Sequence, residues 1–202
     1  MKGDRRIVLF GGQASLSPFR EGGRIALLDS DSSPECALLL SRCHTSMLEE
    51  IKCLGEESRN IFCEDEFWPS PQELLQPTSI HHNNPIIQST TLTLHQLLRY
   101  LAEVTRDIPD KIDIVSNVSE VGGFCTGMFA AVVVAAASSV HDFIDIGVEA
   151  FRLAFWTGYR STKYCQRILG PRWNDMAWSM VFKGLTEDVL RKKLSRFRED
   201  VS

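Results

Sequence analysis

The 202-residue chain has no apolar run long enough to cross a bilayer. Its longest, Met128–Ala137, holds ten residues, whereas a membrane-spanning helix needs about 20. The apolar residues Ile7–Phe10, which follow the basic N-terminus, are too few for the core of a signal peptide. We therefore expect an intracellular, cytoplasmic chain that does not associate with membranes.

The chain also has no excess of positive charge and no closely spaced pair of metal-binding residues. The formal net charge is −4 and the pI is about 5.7, which argues against a nucleic-acid partner. The six cysteines form no C-x-x-C pair, and none has zinc-finger spacing to a histidine. We predict no metal site and reduced thiols, as is usual inside cells.

The composition that remains, 44% hydrophobic and 24% charged residues, is typical of a globular protein. Leu94, Leu97, Leu98 and Leu101 have the spacing of an amphipathic helix. The first predicted elements are, in chain order, a strand at 6–10, a helix within 34–63, the leucine helix and an extended segment from 112 towards 121. The later ones are a buried helix at 128–137, a helix from Phe143 to about Tyr159 capped by Asp142, a strand at 176–182 and a last helix capped by Thr186. This order predicts an α/β fold.

The segment Gly-Phe-Cys-Thr-Gly at 123–127 has the form of a nucleophile elbow, with Cys125 in the place of the usual serine. In such an elbow a strand ends, a sharp turn presents the nucleophile, and a helix begins at once. The helix N-terminus would favour the thiolate, which is the reactive form of cysteine. The alternative is an inert buried cysteine, since free cysteine is among the most buried residue types.

Four segments together give the chain a resemblance to a known family. They are Phe10–Gln13, Asn84–Gln88 with the leucine helix after it, the 123–127 elbow with Met128, and Trp178–Val181 with Gly184–Glu187. In this order they resemble the malonyl/acyl-carrier-protein acyltransferase family, and above all the starter-unit acyltransferase (SAT) domain of fungal non-reducing polyketide synthases. The chain is similar to the N-terminal part of that domain only.

The resemblance implies an α/β-hydrolase-like acyltransferase core with a parallel sheet over 1–174. It further implies that 175–202 begin a small ferredoxin-like subdomain, which is truncated here. We expect this incomplete subdomain to expose a strand edge.

The resemblance also implies the residues of the site. Cys125 would be the catalytic nucleophile, and the backbone N–H groups of Gln13 and Thr126 would form the oxyanion hole. Gly123 and Gly127 would be the elbow glycines. No cofactor is expected to stay bound; the substrate would be an acyl group on coenzyme A or phosphopantetheine. The acceptor would be an acyl carrier protein or polyketide synthase.

Two departures from the family pattern matter. Thr157 stands where malonyl-specific members have an arginine that pairs with the substrate carboxylate, so Thr157 is a candidate for the acyl pocket. A dicarboxylate would then leave a charge unpaired, and we expect an uncharged starter such as acetyl or a longer alkyl chain.

The second departure is the catalytic histidine, which the family has downstream of the small subdomain. The histidines of this chain, none at a matching position, are His44, His81, His82, His95 and His141. The alternative function is therefore a truncated, non-catalytic remnant or partial subunit that binds a synthase, a carrier protein or a complementary second half. A cysteine esterase of the hydrolase type is a third alternative, disfavoured because His141 is too close to Cys125 in sequence.

Overall fold

A computed structural model describes residues 6–12, 33–55, 69–75, 84–107, 118–170, 186, 188–189 and 191–192. Its elements are β1 (Arg6–Phe10), α1 (Pro34–Cys53), a 3₁₀-helix (Pro71–Leu75), α2 (Pro85–Asp107), β2 (Val118–Gly123), α3 (Gly127–Ala136) and α4 (Val140–Leu169). The described part is mostly helical with a small parallel sheet, which agrees with the α/β class. The hydrolase-like core stays a prediction.

The two strands pair in parallel, with Val8 opposite Val121 and Phe10 opposite Gly123. Parallel neighbours need a long crossover, and the connection between them includes α1 and α2. Because both strands run the same way, their carboxyl ends lie at one edge of the sheet. The segment after Phe10 and the segment after Gly123 therefore leave the sheet side by side.

Polar side chains fix the starts of three helices. Ser33 Oγ accepts a hydrogen bond from the Cys36 N–H at 3.3 Å, before α1. Asn84 Oδ1 accepts one from the Ile86 N–H at 3.0 Å, before α2. Each of these side chains satisfies an N–H group that the first helical turn leaves unpaired.

The last of these helices corrects two sequence expectations. Ser139 precedes α4, and its Oγ accepts a hydrogen bond from the Asp142 N–H at 3.1 Å. Asp142 thus lies in the first turn and is not the cap. The helix also continues to Leu169, ten residues beyond the predicted end at Tyr159.

The core lies between the helices and one face of the sheet. All four leucines of the predicted stripe on α2 are buried, as their spacing indicates. The largest side chains that are fully buried include Phe143, Phe151 and Phe155 of α4. Helix α3 was expected to be buried, but Met128 and Val132 are each 57% exposed, so that only one face of it packs on the core.

Charged groups align α4 with α1. The Arg152 guanidinium contacts the Glu49 carboxylate at 2.9 Å and the Glu50 carboxylate at 3.3 Å. Its Nε also donates to Ser46 Oγ at 2.7 Å, and the Trp156 indole N–H donates to Glu50 at 2.9 Å. Such half-exposed pairs are each worth at most about 1 kcal/mol, and they orient the helices more than they stabilise them.

Backbone contacts divide the chain into two compact units, Met1–Cys165 and Gln166–Ser202. In the second unit, the described residues include the end of α4 and Gly170, which has the left-handed φ of 61° common after a helix. The strand predicted at 176–182 lies outside the described residues, so the 174/175 boundary and the ferredoxin-like subdomain stay predictions. No helix in the described ranges combines the length and the apolar character that a membrane span requires.

Candidate active site at a cysteine turn

The chain makes a strand, a tight turn and a helix around Cys125. Strand β2 ends at Gly123, the Phe124 N–H donates to the Phe10 carbonyl at 2.9 Å, and α3 begins at Gly127. Cys125 has φ of 57°, and among the described residues it alone is a non-glycine residue with positive φ. This conformation costs an L-residue about 1–2 kcal/mol. Such strain is concentrated at functional sites, where the surrounding structure enforces it.

The two elbow glycines allow backbone segments to touch. A Cβ on Gly127 would lie 2.6 Å from the Gly11 carbonyl oxygen and would also overlap the Phe10 carbonyl. A Cβ on Gly123 would lie 2.6 Å from the Cα of Met128, the second residue of α3. The absence of side chains at these positions lets α3 start directly against the end of β1.

The residues that follow β1 lie against the cysteine. A Cβ on Gly12 would be 2.6 Å from the Cys125 Cβ, 3.5 Å from its Sγ and 2.9 Å from the Phe124 carbonyl oxygen. The preceding carbonyl, that of Gly11, accepts a hydrogen bond from the Gln96 side-chain amide at 2.6 Å. Gln13 lies outside the described residues, and its oxyanion role stays a prediction.

The Cys125 side chain is exposed, which removes the alternative of an inert buried cysteine. Cys36 and Cys43 are buried on α1, and burial raises the pKa of both thiols, that of Cys43 to about 12. Cys53 is exposed, but it lies at the last position of α1. Cys125 thus combines exposure with a position directly before a helix N-terminus.

The first N–H groups of α3 are mostly used within the turn. Gly127 donates to the Phe124 carbonyl at 3.0 Å and Met128 to the Cys125 carbonyl at 3.1 Å. The N–H of Thr126, by contrast, has no backbone acceptor within the described ranges. The Thr126 hydroxyl is buried and likewise unpaired there. Among the described residues, the Thr126 N–H is thus a candidate donor next to Cys125, and its oxyanion role stays a prediction.

Two of the three described histidines interact with groups other than Cys125. His141 is exposed in the first turn of α4, where its Nε2 lies 3.4 Å from the Asp145 carboxylate. His95 is in the interior, and desolvation lowers its pKa to about 4 despite a hydrogen bond with the Leu75 backbone. No hydrogen bond joins a histidine to Cys125 within the described part of the chain. His81 and His82 lie outside it.

Thr157 is exposed on α4. The arginine five residues earlier, Arg152, is engaged with the carboxylates of α1 described above. Next to Thr157, Gly158 packs against the start of α2, where a Cβ would lie 2.7 Å from the Ile86 Cα. The acyl-pocket role of Thr157 stays a prediction.

Beside Cys125 itself, Phe124 is 79% exposed and provides an apolar surface.

The structure adds two residues that the sequence analysis did not assign. Gly12 contacts Cys125, and the glycine pair after β1 is the only sequence sign of it. Gln96 contacts the same loop from α2. In the sequence it looks like any other polar residue of an amphipathic helix, so nothing singles it out.

The sequence of the chain is similar to those of known proteins. A family model described as "Starter unit:ACP transacylase in aflatoxin biosynthesis" matches residues 8–202. An orsellinic acid synthase of Beauveria bassiana (strain ARSEF 2860) is 33% identical over 161 residues, which cover 77% of this chain and 7% of the synthase. The orsellinic acid synthase ArmB of Armillaria ostoyae is 30% identical over 177 residues, or 82% of this chain and 8% of the synthase.

A third relative is the non-reducing polyketide synthase 1 of Elsinoe fawcettii, 33% identical over 114 residues that cover 56% of this chain and 5% of the synthase. The chain therefore corresponds to less than a tenth of the length of each of these relatives.

Proposed function

The chain belongs to the starter unit:ACP transacylase (SAT) family, whose relatives are fungal polyketide synthases, and we propose that it transfers an acyl starter unit through a thioester on Cys125. The observation that carries this proposal is the exposed Cys125 with φ of 57°, at the turn between β2 and α3. The strained turn presents the sulfur to solvent while Gly12 lies against its other side.

The first half-reaction is a nucleophilic exchange. The Cys125 thiolate attacks the carbonyl carbon of acyl-coenzyme A or an acyl carrier protein, and a new sulfur–carbon bond forms. The tetrahedral intermediate collapses by breaking the bond to the donor sulfur, which leaves as a thiolate and takes up a proton. The Thr126 N–H and, by family resemblance, the Gln13 N–H stabilise the oxyanion; one such donor is typically worth about 10²–10³ in rate.

The second half-reaction reverses the first with a new acceptor. A phosphopantetheine thiol of a carrier protein loses its proton, attacks the acyl-Cys125 thioester and releases the cysteine. One thioester replaces another, at little net cost. We propose that the acceptor belongs to a polyketide synthase in the cytoplasm, and that a histidine-bearing complementary half serves as the general base, which typically supplies about 10²–10⁴ in rate.

Loading and transfer can be measured separately. We expect hexanoyl-coenzyme A to add one acyl group to the chain, which peptide mapping places on Cys125. A phosphopantetheinylated carrier protein should then remove it, slowly for this chain alone and faster with a histidine-bearing half of a related transferase. Loading without any transfer, even with that half present, would support the alternative of a non-catalytic remnant. No loading at Cys125 would refute the proposed function.

The choice of donor follows from the charge of the site. With Thr157 in place of an arginine and Arg152 engaged by Glu49 and Glu50, we expect neither position to supply a cation for a malonyl carboxylate. The exposed Phe124 next to Cys125 instead offers apolar surface to an alkyl chain. Hexanoyl-coenzyme A should therefore load Cys125 about ten- to a hundredfold faster than malonyl-coenzyme A.

Mass spectrometry of a chain incubated with both donors together measures this ratio. Thr157→Arg serves as the matched variant and should raise the malonyl share. A wild-type preference for malonyl would overturn the role assigned to Thr157 while leaving acyl transfer itself intact.

A further inference from the structure

The last residue of β1 and the residue after it both contact α2. Gln96 Nε2 donates to the Gly11 carbonyl at 2.6 Å, and one helical turn later the Tyr100 ring packs edge-on against the Phe10 ring at 6.2 Å. Tyr100 in turn stacks on Phe143 of α4 at 5.7 Å. Helix α2 is itself fixed by fully buried leucines, so that it provides a rigid support for the end of β1.

We propose that Gln96 is a positioning residue for acyl transfer, which sets the Gly11–Gly12 peptide against Cys125. The inference rests on the proposed function of Cys125. In a trans peptide the C=O of one residue and the N–H of the next share a plane and point in opposite directions. By holding the Gly11 carbonyl, Gln96 fixes the direction of the Gly12 N–H.

The contact distances give this orientation a direct effect on the nucleophile. A Cβ on Gly12 would lie 2.6 Å from the Cys125 Cβ, so the backbone at Gly12 is in close contact with the cysteine. The Gly11 carbonyl also lies against Gly127 at the start of α3. Gln96 therefore acts on both sides of the turn that carries Cys125.

The hydrogen bonding of Gln96 does not suit a purely stabilising residue. Its Oε1 is buried and has no partner among the described residues. A buried acceptor without a partner costs about 1–3 kcal/mol, which offsets what the bond to Gly11 contributes. An apolar residue would avoid that cost, and the presence of an amide here points to a role in orientation.

The test compares acylation with alkylation of the same sulfur. In Gln96→Leu, we expect loading of Cys125 by hexanoyl-coenzyme A to slow about 10- to 100-fold, because small displacements at a reacting centre cost up to about 10² in rate. Alkylation of Cys125 by iodoacetamide, which develops no oxyanion, should stay within about threefold of wild type. Arg99→Ala, an exposed change on the same helix, should alter neither rate.

Gln96→Glu adds a pH profile that a structural role would not produce. An ionised carboxylate cannot donate to the Gly11 carbonyl, whereas the protonated carboxyl can. Its loading rate divided by that of wild type should therefore rise as the pH falls from 8 to 5. A flat ratio, wild-type loading by Gln96→Leu, or equal losses of loading and alkylation would each overturn the proposal.

A spectroscopic readout separates this inference from the proposed function. If hexanoyl-coenzyme A does not load the wild type at all, the proposed acyl transfer is refuted. The amide resonances of Gly12 and Cys125 still report on the loop. They should shift in Gln96→Leu and stay in place in Arg99→Ala. Unshifted resonances would refute the positioning role, whatever the outcome of the loading assay.

Discussion

Replacing Cys125 with alanine is expected to abolish loading by acyl-coenzyme A, a loss of at least about 10³-fold, because the variant lacks the sulfur that we propose carries the thioester. The fold should be retained, since the side chain is exposed and alanine is smaller than cysteine. Intact-mass spectrometry with hexanoyl-coenzyme A measures the loss directly, and circular dichroism confirms that the helices remain.

Cys53→Ala is the matched control, since its thiol is also exposed but lies at the end of α1. Loading should be unchanged in that variant. Cys36 and Cys43 should stay unmodified in every variant, because burial raises their pKa and depletes the thiolate. An acyl adduct that persists in Cys125→Ala, or that maps to Cys53, would show that the strained turn does not carry the reaction.

The turn at Cys125 can be predicted from sequence because a strand–turn–helix is a local structure. Glycines at 123 and 127 allow the backbone to close, the central residue is exposed, and an apolar helix follows. The leucine stripe of α2 is predictable for a similar reason, since its 3.6-residue period specifies which side chains are buried. The prediction that α3 is buried was wrong on one face, because an apolar run without charged residues does not show which face packs on the core.

Residues joined by long-range contacts could not be predicted in this way. Gln96 and Gly11 are 85 positions apart, and nothing in a leucine-rich helix marks one glutamine as the partner of a distant carbonyl. The full length of α4 could not be predicted either, because it also depends on a long-range contact. Gly158 disfavours a helix locally, but the close contact with Ile86 of α2 requires a residue without a side chain there. Tertiary packing thus overrides the local propensity.

The exchange of Gly127 for alanine should have the largest effect on the fold of the site. Gly127 is the first residue of α3 and has no left-handed φ, so helix propensity alone would favour alanine by up to about 1 kcal/mol. Against this, the new methyl group would lie 2.6 Å from the Gly11 carbonyl oxygen and would overlap that of Phe10. Both oxygens belong to backbone that cannot yield as a flexible side chain would.

We expect this overlap, which costs about 3 kcal/mol, to outweigh propensity, for a net loss of about 2 kcal/mol in the free energy of unfolding. For a chain of this size the loss lowers Tm by about 4–8 °C. Because β1 and α3 must separate, Gly12 also moves away from Cys125, and loading should fall about 10²-fold. Thermal unfolding and the acylation assay measure the two effects on the same sample.

Gly55→Ala is the control, because a Cβ there meets no atom within 4 Å and stability should change by less than about 0.5 kcal/mol. If Gly127→Ala were as stable and as active as Gly55→Ala, the contact between the start of α3 and the end of β1 could not be what places Cys125 beside Gly12. A loss of stability without a loss of loading would separate the two roles. Gly127 would then support the fold, and the geometry at Cys125 would depend on other contacts, such as the hydrogen bond from Gln96 to Gly11.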